Sequence, residues 1–289
     1  MSHGLDGKQV VITGSSRGIG LGIAQGFARA GARLLLIADD PKVVDRARDL
    51  GGAGAVADIT DGKAVAAALA ATPAIDVLIN NAGLELLTPV TEADAETEAK
   101  FRRIVEINVI GTDLVTRRAL ARMKAGAAII NTASMAGLLN PPTMGIYNVS
   151  KHAVVSLTES LYHDLSLVEA PIGASVLCPY FVQTGISQSH KRRPDDVRSD
   201  SAPTVSQQVS QAVLEKAVSS GKVSAADVAQ RTFDAIRAGQ FYIYSHPGAL
   251  GNVQRRMEDI VTSRNPGDPY EAAPHVRDKL RAGLRGEGV

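Results

Sequence analysis

The 289-residue chain predicts an α/β fold: a parallel sheet of about seven strands, doubly wound, with helices on both faces. Three observations carry this expectation. Short apolar runs alternate with helical patterns along most of the chain. The first run leads directly into a glycine turn and a helix. Tryptophan is absent, aromatic residues make up 4% and glycine numbers 27, a composition suited to helices packed closely on a sheet.

Lys8 to Thr13 is the first strand, and it passes into Thr13-Gly14-Ser15-Ser16-Arg17-Gly18-Ile19-Gly20. Ile19, Ile23 and Phe27 then recur at helical spacing until Gly31 stops the helix. Glycines let the backbone turn tightly and approach a pyrophosphate, whose charge would meet the N–H groups and positive dipole of the helix start. A purely structural turn could use the same three glycines. Arg33 to Ala38 is the second strand, ending at Asp39-Asp40-Pro41. Asp40 before a proline reads as a helix cap with Pro at the first helical position. Asp39, at the strand tip, suits a ribose 2′-hydroxyl and repels a 2′-phosphate, which favours NAD over NADP. Arg17 is the counter-signal, since a guanidinium can pair with a phosphate.

Gly54 to Ala57 is the third strand, followed by Asp58-Ile59-Thr60 and an alanine-rich helix from about Asp61 to Ala71. Asp58 is placed either to contact an adenine or to cap that helix. Ile75 to Ile79, the fourth strand, breaks into Asn80-Asn81-Ala82-Gly83, where small residues leave room for a flat ring or a ribose. A long helical pattern crosses Phe101, Ile104, Val105, Val109 and Leu114, with Asn108 inside it. Asparagine is a mediocre helix former, so its position asks for a reason, solvent exposure being the plain one.

Ala127 to Ile130 is the fifth strand, and Ser134 stands just past its carboxyl end. Tyr147 and Lys151 lie four residues apart at the start of a helix running to about Leu167, so they share one face. A cation about 4–5 Å from the phenol, at an effective dielectric of about 20, is worth roughly 3–4 kcal/mol. That equals about 2 to 3 pKa units in favour of the phenolate. The plain alternative is an amphipathic surface pair. None of the other five tyrosines, at 162, 180, 242, 244 and 270, has a lysine four residues on.

Ile172 to Cys178 is the sixth strand, ended by Pro179 to Thr184. Residues 185–223 are polar and mixed in charge, with Lys191-Arg192-Arg193 against Asp195-Asp196 and apolar spacing at Val205, Val209, Val213 and Leu214. They read as a mobile loop with one or two short helices, a candidate lid over a substrate. Val223 to Ala238 is helical with Ser224 as N-cap, and Phe241 to Ser245 is a last strand ended by His246-Pro247. Residues 1–263 then form one catalytic domain, and 264–289, rich in proline and charge, a partly ordered tail or an arm for a neighbouring subunit.

Lysine and arginine number 31 against 30 acidic residues, a net charge of +1 that points to neither nucleic acid nor an anionic membrane. A small-molecule partner is the default. Cys178 is the only cysteine, which excludes an internal disulfide and a cysteine-based zinc site; no metal is expected. No basic segment followed by a long apolar core opens the chain, and no run of about 18 apolar residues occurs, so a soluble cytoplasmic protein is expected.

TGSSRGIG at 13–20, NNAG at 80–83, Asn108, Ser134 and Tyr147-x-x-x-Lys151 together resemble the motif set of the short-chain dehydrogenase/reductase family, over about residues 5–184. The resemblance implies a Rossmann-type doubly wound sheet of order 3-2-1-4-5-6-7 and a homodimer or homotetramer. It implies Tyr147 as general acid/base, Ser134 as the residue orienting the substrate oxygen, and Lys151 as the ribose ligand that lowers the tyrosine's pKa. Asn108 would hold a water relaying protons to Lys151. Gly14, Arg17, Gly18, Ile19 and Gly20 would cradle the pyrophosphate, Asp39 the ribose, and Asp58 and Ile59 the adenine. Asn81, Ala82 and Gly83 would meet the cofactor's middle, and Val182 and Thr184 the nicotinamide carboxamide. The family's usual Pro-Gly after the sixth strand is Pro179-Tyr180 here, a departure that bears on the shape of the nicotinamide pocket.

The activity so implied is NAD-dependent interconversion of a secondary alcohol and a ketone. An NADP-dependent carbonyl reductase and a non-catalytic dinucleotide-binding regulatory protein are the alternatives. Pocket residues expected from Leu84–Pro89, Ser134–Tyr147 and the 185–223 loop are mostly apolar or small near the chemistry, so a hydrophobic or alicyclic alcohol is expected. The FYIYSHPG segment is similar to that of members acting on bulky secondary alcohols.

Overall fold

The computed structural model describes residues 4–85, 87, 89–91, 95–183 and 204–285. Among them seven strands form one sheet: β1 (Gln9–Thr13), β2 (Arg33–Ala38), β3 (Ala53–Val56), β4 (Ile75–Asn80), β5 (Met123–Thr132), β6 (Gly173–Cys178) and β7 (Tyr242–Tyr244). Their order is β3-β2-β1-β4-β5-β6-β7, and every pairing is parallel. The order turns back between β1 and β4, so a crevice opens beyond the carboxyl ends of those two strands.

Because successive strand residues face opposite sides, each central strand feeds two cores. Val10 and Ile12 pack with Leu34, Leu36, Ile23 and Phe27 on one face. Val11, Leu35 and Ile37 pack with Val65, Leu69 and Val115 on the other. The first face is covered by α1 (Gly18–Arg29), α2 (Lys42–Asp49) and α8 (Ala225–Ala238), the second by α3 (Gly62–Ala70) and α5 (Thr112–Leu120). Helices α1 and α8 pack closely: a Cβ on Gly22 would come 2.4 Å from the Ala225 side chain, and one on Gly26 2.9 Å from the Phe233 ring. Phe27 and Phe233 meet edge to face at 4.5 Å.

β5 is longer than the apolar run Ala127 to Ile130 because its first half pairs onward past an irregularity in the β4 register, with Gly126 at φ 83°. The long helical pattern is broken. α4 (Ala95–Val105) passes through a π-helical turn, Glu106–Gly111, before α5 begins. α6 (Gly145–Leu167) carries Tyr147 and Lys151. α7 (Val205–Ser219) opens with a capping box from Thr204 and Gln207, and α8 with one from Ser224 and Asp227. Two helices then lie beyond the sheet: α9 (Leu250–Val261) and, within the expected tail, α10 (Pro274–Leu284), which packs on α7. Residues 185–203 of the expected lid, with Lys191-Arg192-Arg193, lie outside the described residues. No described helix is long and apolar enough to cross a membrane.

Candidate active site

At the crevice the β1–α1 turn and the β4 loop are pressed together. Gly14 has φ 62°, and a Cβ there would sit 2.6 Å from the Ala82 Cα, so a side chain is excluded both by conformation and by space. Asn81 Nδ2 donates to the Gly14 carbonyl at 3.0 Å, and Thr13 Oγ1 accepts the N–H groups of Asn81 and Ala82. Gly20 is buried behind this contact and shapes the turn rather than its open face. Helix α1 has no side-chain cap and no acidic residue in its first turn, leaving a positive helix end open to an anion.

A cleft of about 360 Å³ runs along this turn. Gly14, Arg17, Gly18, Ile19 and Asp39 line one end, Asp58 and Ile59 another part, and Asn81, Ala82, Gly83, Lys151 and Val182 the middle and far end. Thr184 lies outside the described residues. Arg17 turns its guanidinium to Asp40, 3.3 Å away, so the counter-signal for a 2′-phosphate is engaged by a neighbouring carboxylate. Asp40 also accepts the Lys42 N–H at 3.0 Å, as a capping residue does.

Asp58 is more committed than its sequence suggests. One carboxylate oxygen takes the Thr60 N–H and hydroxyl, both at 2.8 Å, and the other takes Arg103 at 2.6 Å. Burial raises its carboxyl, but these bonds together hold it below the usual aspartate value. The cap of α3 is Asp61, which accepts from Lys63 and Ala64. Sequence reasoning missed Arg103, whose bonds to Thr60 and Asp58 span 43 and 45 residues.

Asn108 sits in the π-helical turn, buried, and here its presence mid-helix finds a cause other than exposure. Its carboxamide accepts from Leu84 N–H (2.8 Å) and donates to Leu84 O (2.9 Å) and to Ser150 (3.0 Å). It thereby ties the β4 loop to α6. A Cβ on Gly83 would lie 3.1 Å from Asn108 Oδ1 and 3.4 Å from Lys151 Nζ, which explains the small residue.

Ser134 leads into a short 3₁₀ turn, Met135–Gly137, which packs so closely on α6 that a Cβ at Gly137 would be 2.6 Å from the Lys151 carbonyl. That contact brings Ser134, Tyr147 and Lys151 together. Tyr147 and Lys151 are both buried, and Lys151 Nζ lies 5.7 Å from the centre of the tyrosine ring while donating to Thr132 O at 3.0 Å. Burial pushes the Tyr147 phenol well above its ordinary value; the buried Glu85 carboxylate pushes the same way, and a hydrogen bond with Ser134 pulls back. This corrects the expectation of a phenol depressed by its lysine: desolvation sets the direction, and Lys151 is not among the groups that shift it. Burial likewise pulls Lys151 down to about 8, against smaller opposing effects of Cys178 and Glu85.

A second cavity of about 760 Å³ opens on the other side of Ser134 and Tyr147. Leu87, Met135, Leu139, Val213, Leu214 and Ile260 give it an apolar lining, and Glu85 lies in its wall. The expected stretch Ser134–Tyr147 contributes, including Thr143, a β-branched residue at φ 68°. Of Leu84–Pro89, Glu85 and Leu87 line the cavity, while 86 and 88 lie outside the described residues. Tail residues from Pro266 to Leu280 close part of it, and sequence reasoning did not foresee them there. Cys178 is buried at the end of β6, and no group of metal-ligating side chains occurs among the described residues.

The family model for short chain dehydrogenases matches residues 8–195. The chain belongs to that family. This short-chain dehydrogenase is 30% identical over 275 residues to the "CLA biosynthesis dehydrogenase/reductase" of Lactiplantibacillus plantarum, covering 90% of this chain and 95% of that one. It is 36% identical over 203 residues to the galactitol 2-dehydrogenase (L-tagatose-forming) of Cereibacter sphaeroides, covering 66% and 78%. Among solved structures it is similar to a short-chain dehydrogenase/reductase from Burkholderia phymatum in complex with NAD. That likeness has a TM-score of 0.86 and 42% identity over 92% of this chain and 98% of that one. The seven-stranded sheet is the fold expected of such an oxidoreductase.

Proposed function

We propose that the protein interconverts a secondary alcohol and a ketone with NAD as its redox partner, using Tyr147 as general acid and base. One observation carries this reading: Ser134 and Tyr147 line both cavities, so a group held by them is presented to whatever fills either side. The cleft fits a dinucleotide. Its glycine turn leads into a helix end that lacks a cap, and Asp39 is exposed at the β2 tip. Gly14, Arg17, Gly18 and Ile19 would hold the pyrophosphate, with Gly20 shaping the turn. Asp39 would hold the ribose hydroxyls, Ile59 and Asp58 the adenine, and Asn81 to Gly83 and Val182 the remainder. With Arg17 paired to Asp40, nothing balances the Asp39 charge against a 2′-phosphate, which supports NAD.

The bound nicotinamide would take up or deliver the hydride. The chain's own residues manage the oxygen. Ser134 Oγ and the Tyr147 hydroxyl converge on it; Tyr147 gives it a proton in ketone reduction and removes one in alcohol oxidation. Lys151, as an ammonium, offsets the phenolate formed in the second case, and Asn108 holds the β4 loop that carries Gly83 beside it. The elevated Tyr147 phenol favours the protonated form, so reduction is expected to dominate at neutral pH, where Lys151 still carries its charge.

The apolar lining supports a hydrophobic secondary alcohol. The test is NADH formation over cyclic, aryl and polyol alcohols, with NAD and NADP titrated in parallel. Oxidation of cyclic or aryl alcohols with NAD preferred is the expected result. Turnover of polyols alone would overturn the substrate class, and preference for NADP would overturn the role of Asp39.

A further inference from the structure

Three residues line both cavities: Ser134, Tyr147 and Tyr180. The first two have roles in the proposed chemistry, and the third is the residue standing after Pro179 where glycine is usual. Its placement is built from several sides. The Pro179 carbonyl before it accepts the Met135 N–H at 2.8 Å and the Ser134 hydroxyl at 3.4 Å. The Tyr180 N–H donates to Ser245 Oγ at 2.9 Å, and that oxygen lies 2.7 Å from His246 Nδ1. The ring rests on Phe181 at 4.0 Å and meets His246 edge-on at 5.8 Å. With Phe181 behind it and His246 at its edge, the ring is a bulky wall that stays 38% exposed.

We propose that Tyr180 sets the stereochemical preference of the enzyme by limiting one substituent of the reacting carbon, an inference that rests on the reading under Proposed function. A secondary carbinol carbon has four attachments. Its oxygen goes to Ser134 and Tyr147 and its hydrogen toward the cofactor cleft. The apolar cavity of about 760 Å³ takes the large substituent. The remaining substituent faces Tyr180, and the bulk of that ring leaves room only for a small one. Inverting the carbon forces the large group onto that ring.

The test uses the purified full-length protein and the separate enantiomers of 1-phenylethanol and 2-octanol. The wild type is expected to oxidise one enantiomer at least about tenfold faster in kcat/KM, the scale of a steric mismatch in an apolar pocket. Tyr180→Gly is expected to reduce that ratio at least about fivefold, chiefly by raising kcat/KM for the disfavoured enantiomer, and Tyr180→Phe to keep it, since ring bulk and not the hydroxyl is at issue. If the glycine variant does not fold, Tyr180→Ala serves with the same criterion. A smaller change, an unselective wild type, or loss of selectivity in Tyr180→Phe would overturn the proposal. So would a tenfold weakening of NAD binding measured by fluorescence titration, because Tyr180 would then belong to the cofactor cleft. A wild type that oxidises no alcohol of any class would instead fail the functional reading on which this one stands.

Discussion

Replacing Lys151 by methionine is expected to stabilise the protein at neutral pH while abolishing its turnover. Burial pulls the lysine down from 10.5 to about 8, which at roughly 1.4 kcal/mol per pKa unit makes its charge cost about 3 kcal/mol in the folded state. Methionine has a similar length and carries no charge. Its substitution gives up the hydrogen bond to the Thr132 carbonyl, a loss of about 1 kcal/mol, so a net gain of about 2 kcal/mol remains at pH 7. The pH dependence has a definite sign. Below pH 8 the folded and unfolded chains both carry the proton and the full cost is present; between 8 and 10.5 only the unfolded chain does, so wild-type stability rises with pH; above 10.5 the cost is gone. Urea unfolding of both proteins at pH 7 and pH 10.5, with no NAD added, measures the difference. A variant less stable at pH 7, or a gain of the same size at both pH values, would refute the reasoning.

Three further substitutions probe the cleft and its neighbours. Asp39→Ala removes the carboxylate at the β2 tip and is expected to tighten NADP about tenfold or more relative to NAD, read by titrating both cofactors. Gly83→Ala places a methyl 3.1 Å from Asn108 Oδ1 and 3.4 Å from Lys151 Nζ. Displacing those groups by tenths of an ångström is expected to lower kcat/KM on the order of tenfold with little change in urea midpoint. Glu85→Gln removes a charge that raises the Tyr147 phenol, so the pH-rate profile for alcohol oxidation is expected to move to lower pH; a shift upward would contradict the sign of that interaction.

Much of the scaffold was readable because it is written in short-range patterns. Leu34 to Ala38 is buried on both faces of the sheet, so a continuous apolar run marked β2. Ser224 announced a helix start, and Asp227 completes its capping pair. The spacing of Tyr147 and Lys151 placed them on one face, but spacing carries no information about desolvation, and desolvation decides both of their proton affinities. Asn108 asked for a reason mid-helix without naming it. Its side-chain partners, Leu84 and Ser150, lie 24 and 42 residues distant. Glu85 reads as an ordinary polar residue among leucines until the β4 loop buries it. Helix α9 escaped notice because Arg255, Arg256, Glu258 and Asp259 dilute its apolar positions, and the face it buries borders a cavity rather than the sheet.

The central claim is that the Tyr147 hydroxyl moves the proton on the reacting oxygen. Tyr147→Phe removes that one atom from a buried ring and leaves the NAD cleft otherwise intact. Steady-state oxidation and NAD affinity measured on the same preparation decide the matter. The account predicts a fall in kcat of at least about a thousandfold, within the range for loss of a general acid/base, with NAD affinity changed less than about threefold. A variant that turns over within about tenfold of wild type would contradict it.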